Sequence, residues 1–159
     1  MKIKILSDST CDLSRELLEK YDITLVPLSV IKDGKDFKDG VTITPADIFA
    51  HVAAGGALCT TSAVSIGEYA DIFEQYAADS DGIIHINLGS GFSTCYQSAC
   101  LAAEEFDNVF AVDSCNLSSG QGLMVIEAAL AAQRGEKAED IVAMLKELTG
   151  RIDTSFVLD

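Results

Sequence analysis

The sequence predicts a three-layer α/β/α fold around a mainly parallel sheet, and three observations predict it. Short apolar runs rich in β-branched residues alternate with segments of helical periodicity along the whole chain. Three of those runs end in small, hydroxyl-rich turns: Ser7-Asp8-Ser9-Thr10, Gly89-Ser90-Gly91-Phe92-Ser93-Thr94 and Asp113-Ser114-Cys115-Asn116. Such turns at the carboxyl ends of parallel strands are where ligands gather on these sheets. The 159 residues, 48% hydrophobic with a mean hydropathy of +0.25, suffice for one domain with a substantial core.

Each element has its own signal. Lys2 to Leu6 reads as the first strand, and Leu13 to Tyr21 as a helix with Leu13, Leu17, Leu18 and Tyr21 on one face. Ile23 to Ile31 reads as one second strand, Asp33-Gly34 as a turn, and Phe37 to Ile43 as an irregular or short paired return. Thr44-Pro45 opens a helix, the hydroxyl capping it and proline filling its first turn, and Gly55-Gly56 stops it. Ser65-Ile66-Gly67-Glu68 is a capping box that starts a helix running to about Ala78. A strand over Gly82 to Leu88, a helix over Ser93 to Phe106 and a strand over Asn108 to Asp113 follow. Helices over Ser119 to Gln133 and Ala138 to Leu148 come next, and Ser155 to Leu158 begins a further strand.

Composition excludes several functions. With 11 basic against 25 acidic residues the net charge is −14, a poor surface for nucleic acid or anionic lipid, because phosphate binding needs clustered Lys and Arg. No apolar run approaches the roughly 20 residues that span a bilayer, and MKIKILSDST reads as a strand rather than a signal peptide. A cytoplasmic protein without stable membrane insertion is expected. Cys11, Cys59, Cys95, Cys100 and Cys115 form no CxxC pair, and His51 and His85 are the only histidines. No metal site is expected, and the thiols read as reduced and non-catalytic.

The stretch GIIHINLGSGFSTCYQSA, Gly82 to Ala99, carries the strongest chemical signal. A strand feeding a glycine- and hydroxyl-rich turn and then a helix presents free backbone N–H groups and a positive dipole end to an anion. Gly89 to Thr94 also nearly spells GxGxxG, and Asp113 ends the next strand where a ribose-binding acid would sit. A nucleotide-binding enzyme module using this turn is therefore an alternative, although Thr94 stands where the third glycine belongs. No GxSxG, no GxxxxGK[ST] and no convincing nucleophile–base pair occurs, which favours binding over catalysis. His85, mid-strand, and His51, within a helix, read as structural, and Glu104-Glu105 as a solvated face.

A second hydroxyl cluster, Thr60-Thr61-Ser62, precedes the helix at Ser65 and reads either as loop chemistry or as the other half of an anion clamp. A carboxylate accepting several neutral O–H and N–H bonds needs no buried Arg or Lys. Beside apolar helices, the matching ligand is a carboxylate with a long hydrocarbon tail. A structural or interaction domain with an empty pocket is the remaining reading.

Several segments in order resemble the DegV family. Ser7-Asp8-Ser9-Thr10-Cys11-Asp12-Leu13 resembles its DST-x-DL opening, Pro27-Leu28 and Asp39-Gly40 fit its next landmarks, and Thr61-Ser62 falls at its TS. Leu88 to Ala99 resembles LSSGLSGTYQSA, and Val112-Asp113-Ser114 its strand-ending VDS. The resemblance implies a lipid-binding, non-enzymatic subunit of a bacterial fatty acid kinase system, with a long-chain fatty acid as bound ligand and no other cofactor. It implies that the acid is presented to a separate kinase catalytic subunit, phosphorylated there with ATP, and passed to phospholipid synthesis. It also implies that Thr61 and Ser93 hydrogen-bond the carboxylate, with Ser62 and Thr94 close by, while the acyl chain lies between domains.

The chain departs from that pattern at named positions. Ala63-Val64 replaces Gln-Pro, and Gly89, Thr94 and Cys95 replace Ser, Gly and Thr of the turn. Residues 1–159 correspond to the family's N-terminal domain, so the expectation is a lipid-binding domain without the C-terminal domain. The histidine and basic residue which that second half brings near the headgroup have no counterpart here. Apolar surface left uncovered in this way would favour self-association.

Overall fold

The computed structural model describes residues 1–155. Four parallel strands form the main sheet: β1 (Ile3–Asp8), β2 (Ile23–Val26), β6 (Gly82–Asn87) and β7 (Val109–Asp113), in the order β2-β1-β6-β7. Helices α1 (Arg15–Tyr21), α5 (Ser118–Gln133) and α6 (Ala138–Thr149) cover one face, and α3 (Ile66–Ala77) and α4 (Cys95–Ala103) cover the other. This is the three-layer α/β/α arrangement expected. Alternation along the strands divides the core. Ile5, Ile84, Ile86 and Val112 pack toward α5 and α6, while Leu6, Ile83 and Val109 pack with Tyr69, Phe73 and Ala99 of α3 and α4.

The single strand expected over Ile23 to Ile31 is instead two. Val26 pairs with Asp8, but Pro27 has no N–H to extend the ladder, so the chain leaves the main sheet there. It re-forms as β3 (Ser29–Lys32), which pairs antiparallel with β4 (Lys35–Lys38) through the Asp33-Gly34 turn. Asp33 and Gly34 have φ of 51° and 72°, the doubly left-handed geometry of a tight hairpin. Thr60-Thr61-Ser62 is not a loop. It forms β5 (Thr60–Ser62), which pairs with the other edge of β3 to complete a second sheet, β4-β3-β5.

Helix boundaries follow their caps. Ser14 Oγ accepts the Leu17 N–H at 3.3 Å, so α1 starts two residues later than expected. Thr44 with Asp47 and Ser65 with Glu68 both form reciprocal capping boxes, opening α2 (Pro45–Ala53) and α3. α2 buries none of its residues. α4 begins at Cys95, with Thr94 at the cap position making no side-chain cap bond, and ends at Ala103 rather than Phe106. Ser155 lies outside any strand, and the rest of the strand expected over 155–158 lies outside the described residues. Among the described residues, no helix is long and apolar enough to cross a membrane.

Candidate functional site

The carboxyl ends of β1, β6 and β7 converge, and the three turns there differ in what their polar groups have left to offer. After β1, Ser7 Oγ donates to the Ile86 carbonyl at 2.8 Å and accepts from Nε2 of the buried Gln121 at 3.0 Å. Thr10 Oγ1 donates to Gln121 Oε1 at 2.9 Å, and Ser9 Oγ accepts the Leu28 N–H at 3.3 Å. After β7, Ser114 Oγ accepts the Asn116 N–H at 3.1 Å and donates to the Asn116 carbonyl at 2.9 Å. These hydroxyls are already engaged by neighbouring elements or by their own loop.

The turn after β6 is held from behind and left open in front. Gly89 N–H donates to the Asn116 carbonyl at 2.8 Å, and Phe92 N–H to the Gly89 carbonyl at 2.9 Å. A Cβ on Gly89 would stand 2.8 Å from both the Asn116 nitrogen and the Cys115 carbonyl carbon, so glycine is required for this contact. Ser90 N–H donates to Asp113 Oδ1 at 3.0 Å, and that oxygen also accepts the Cys115 N–H at 2.9 Å. Burial pushes the Asp113 carboxyl up, but hydrogen bonds from Ser90 and Cys115 outweigh it and hold the group below its ordinary value. The acid weighed as a ribose ligand is thus engaged in building the turn. Among the described residues, the N–H groups of Gly91, Ser93 and Thr94 donate to no protein acceptor. Ser93 Oγ accepts the Cys95 N–H at 3.2 Å and directs its hydrogen at Cys95 Sγ, 3.2 Å away. Sulfur is a weak acceptor, so this hydrogen can turn to a better one.

Beside the turn lies a cavity of about 330 Å³, walled by Leu88, Phe92 and Leu117 and rimmed by Thr10, Ser118, Asp12 and Asp39. Asp12 and Ser118 both sit in the left-handed region, with φ of 50° and 49°, the kind of backbone strain that concentrates at working sites. A wider depression of about 430 Å³ beside α5 and α6 carries Glu127, Arg134, Glu147 and Arg151 and lies on the opposite side of the main sheet from α4.

The four hydroxyl residues singled out from sequence fall into two groups. Ser93 and Thr94 lie in the β6–α4 turn, whereas Thr61 and Ser62 lie exposed on β5 of the second sheet, paired with Val30 and Ser29. None of the four lines the 330 Å³ cavity. Lys38 Nζ bonds Ser29 Oγ at 3.0 Å and also pairs with Glu68, tying the second sheet to the start of α3. Burial raises the Glu68 carboxyl, but Lys38 and Ser65 more than offset this and lower it.

Sequence reasoning missed a polar cluster beneath the turn. Asp8, fully buried, accepts from the Tyr69 hydroxyl at 2.6 Å and His85 Nε2 at 3.0 Å on one oxygen. Its other oxygen accepts from Asn87 Nδ2 at 3.3 Å and the Leu88 N–H at 2.7 Å. Burial, and then the Asp8 charge, push the Tyr69 phenol far up. His85 packs edge-on against Tyr69 and Phe73, at centroid separations of 5.1 and 5.8 Å. The available signal was the period-2 run of polar His85 and Asn87 facing the same side of β6.

A parallel sheet whose strand ends carry a glycine- and hydroxyl-rich turn, with an apolar cavity alongside, defines an α/β domain with a candidate ligand site. The model of the DegV family of uncharacterised proteins matches residues 2–159. The chain belongs to the DegV family. It is 32% identical over 160 residues to a DegV domain-containing protein of Clostridium perfringens, spanning 99% of this chain and 57% of that relative. A relative from Caldanaerobacter subterraneus is 36% identical with the same coverage. Among solved structures, a Thermus thermophilus DegV family protein described by its fatty acid binding superposes with a TM-score of 0.87 at 34% identity. That match covers 94% of this chain and 54% of the other. A stearic acid-binding protein of Eubacterium ventriosum superposes with a TM-score of 0.81 at 34% identity, covering 91% and 52%. The chain therefore spans little more than half the length of the relatives it matches.

Proposed function

We propose that this chain is the headgroup-binding part of a fatty-acid carrier, holding a long-chain acid by its carboxylate without catalytic residues of its own. The observation that carries the reading is the β6–α4 turn. Its Gly91, Ser93 and Thr94 N–H groups have no protein acceptor among the described residues, the hydroxyls of the other two turns are already engaged, and it sits against an apolar cavity wall of Leu88, Phe92 and Leu117. Ser93 and Thr94 supply hydroxyls from that turn, and Thr61 and Ser62 supply them from β5. All are neutral donors, suited to a carboxylate held without a buried Lys or Arg. The solved DegV structures described as binding fatty acids support the ligand class.

In this reading the protein works in the cytoplasm, where five free thiols stay reduced, and a separate kinase subunit phosphorylates the presented carboxylate with ATP. The resulting acyl phosphate enters phospholipid synthesis. The test is lipid extraction and mass spectrometry of the purified protein, followed by titration with oleate and palmitate. Recovery of a long-chain acid and saturable binding support the reading; background lipid only, with no binding, overturns it. The kinase step is checked separately, by acyl phosphate formation that needs this protein, the kinase and ATP together.

A further inference from the structure

Asp8 is a fully buried carboxylate whose two oxygens receive four donors, from Tyr69, His85, Asn87 and Leu88. The proton positions around it follow from the geometry. Asn87 Nδ2 donates to the Tyr69 oxygen at 3.1 Å, so the Tyr69 hydrogen points to Asp8. The Leu88 N–H and Asn87 Nδ2 can only donate. His85 then decides whether the cluster is charged. Its Nε2 faces Asp8, while its Nδ1 is buried and has no partner among the described residues. An imidazolium would bury an unpaired N–H and its charge among Tyr69 and Phe73, whereas a neutral ring protonated on Nε2 leaves only a lone pair there. Among the described residues, no Lys or Arg pairs with Asp8. The carboxylate is thus satisfied by hydrogen bonds but not neutralised.

This charge stands directly behind the turn, because Leu88, whose N–H it holds at 2.7 Å, immediately precedes Gly89. We propose that Asp8 is a positioning and specificity-determining residue: it fixes the exit of β6 into the turn, and its uncompensated buried charge weakens the turn's grip on an anionic headgroup relative to a neutral one. The inference rests on the carboxylate-binding reading of the turn. It gives the site a built-in release: neutral donors capture the acid, while the charge behind them limits how tightly it is held.

Asp8→Asn removes the charge and keeps the shape. With its carbonyl toward Tyr69 and His85 it keeps both of those bonds with the imidazole proton still on Nε2, and its amide can donate to Asn87 Oδ1 once that side chain turns over; the Leu88 N–H then loses its acceptor, an effect common to both ligands. The experiment compares oleate with oleyl alcohol, by titration calorimetry, on the wild type and Asp8→Asn. Removing a like charge from behind the turn, at an effective dielectric of about 20, predicts that oleate gains roughly severalfold to tenfold over oleyl alcohol in the variant. An unchanged ratio, or equal loss of both ligands, overturns the inference while leaving the carrier reading intact; a wild type that binds neither ligand overturns both. Imidazole ¹⁵N shifts of the wild type give a check that needs neither ligand nor variant. A neutral ring protonated at Nε2 is expected from the geometry, and a doubly protonated ring overturns the uncompensated charge.

Discussion

Asp113 and Ser90, 23 residues apart, are joined by one hydrogen bond, Ser90 N–H to Asp113 Oδ1 at 3.0 Å, which fastens the β6–α4 turn to the end of β7. The same oxygen closes the next loop through Cys115, so one carboxylate sets the relative position of two loops.

Asp113→Ala should therefore loosen the turn while sparing the core. The expected result is a stability loss of about 1–2 kcal/mol for the two lost bonds, with faster exchange of the Ser90 amide and weaker oleate binding. The pH dependence has a defined sign. The carboxyl lies below its ordinary value in the folded protein, so its contribution is present above the unfolded-state value and is lost as pH falls through the folded one. Tracking the Ser90 amide by NMR during acid titration should give a midpoint below the usual aspartate range; a midpoint at or above that range contradicts the bond.

Ser93→Ala and Thr61→Ala should each weaken carboxylate binding by about tenfold or more, a hydrogen bond to a charged group being worth roughly 1.5–3 kcal/mol. Thermal unfolding should barely move for Thr61→Ala, because Thr61 is exposed, and should fall slightly for Ser93→Ala, which loses the bond from the Cys95 N–H at the start of α4. If oleate affinity is unchanged in both variants, the two-sheet clamp is wrong even where the ligand class is right.

Two glycines of the same turn should behave oppositely. Gly89→Ala sets a Cβ 2.8 Å from backbone atoms of the β7–α5 loop, whereas a Cβ on Gly91 meets nothing within 4 Å. Overpacking against backbone predicts a loss of about 1–3 kcal/mol for Gly89→Ala and a near-neutral Gly91→Ala. Denaturant melts of the pair decide it, and equal effects would contradict the close approach.

The two capping boxes separate local from global stability. Ser65→Ala should lower the unfolding temperature, at a cost of about 1 kcal/mol, since α3 carries the buried Tyr69 and Phe73. Thr44→Ala should speed amide exchange within α2 and leave global unfolding nearly unchanged, because α2 buries no residue. Hydrogen exchange read beside calorimetry tells these outcomes apart.

The parts of this fold that were legible in the sequence are those written in local chemistry. Thr44-Pro45, Ser65-x-x-Glu68 and Asp33-Gly34 place their helix starts and hairpin turn where neighbouring residues alone fix the backbone. The parts that were not depend on distant partners. Thr60 to Ser62 has no strand pattern of its own and becomes one only by pairing with β3, about thirty residues earlier. Pro27 breaks a run that looks continuous because the ladder it interrupts belongs to β1. The same limit applies at the site. The glycine-rich turn was evident, but the roles of Asp8 and Asp113 are set by Tyr69, 61 residues from Asp8, and by Ser90. Hydroxyls at Ser7, Thr10 and Ser114 resemble ligand donors in sequence, and only folding shows them already spent.

The glycine contact between the turn and the β7–α5 loop also has a practical use. Cys115 is the one exposed cysteine among the described residues, and its loop is fastened to Gly89 by the Gly89–Asn116 bond. Burial and the neighbouring Asp113 push its thiol up, so alkylation calls for mildly alkaline solution. A dye attached there would sit on the loop that holds the turn, two residues from the cavity-wall Leu117. On the carrier reading, the protein thus carries its own attachment point for an optical sensor of occupancy, with no engineered cysteine needed.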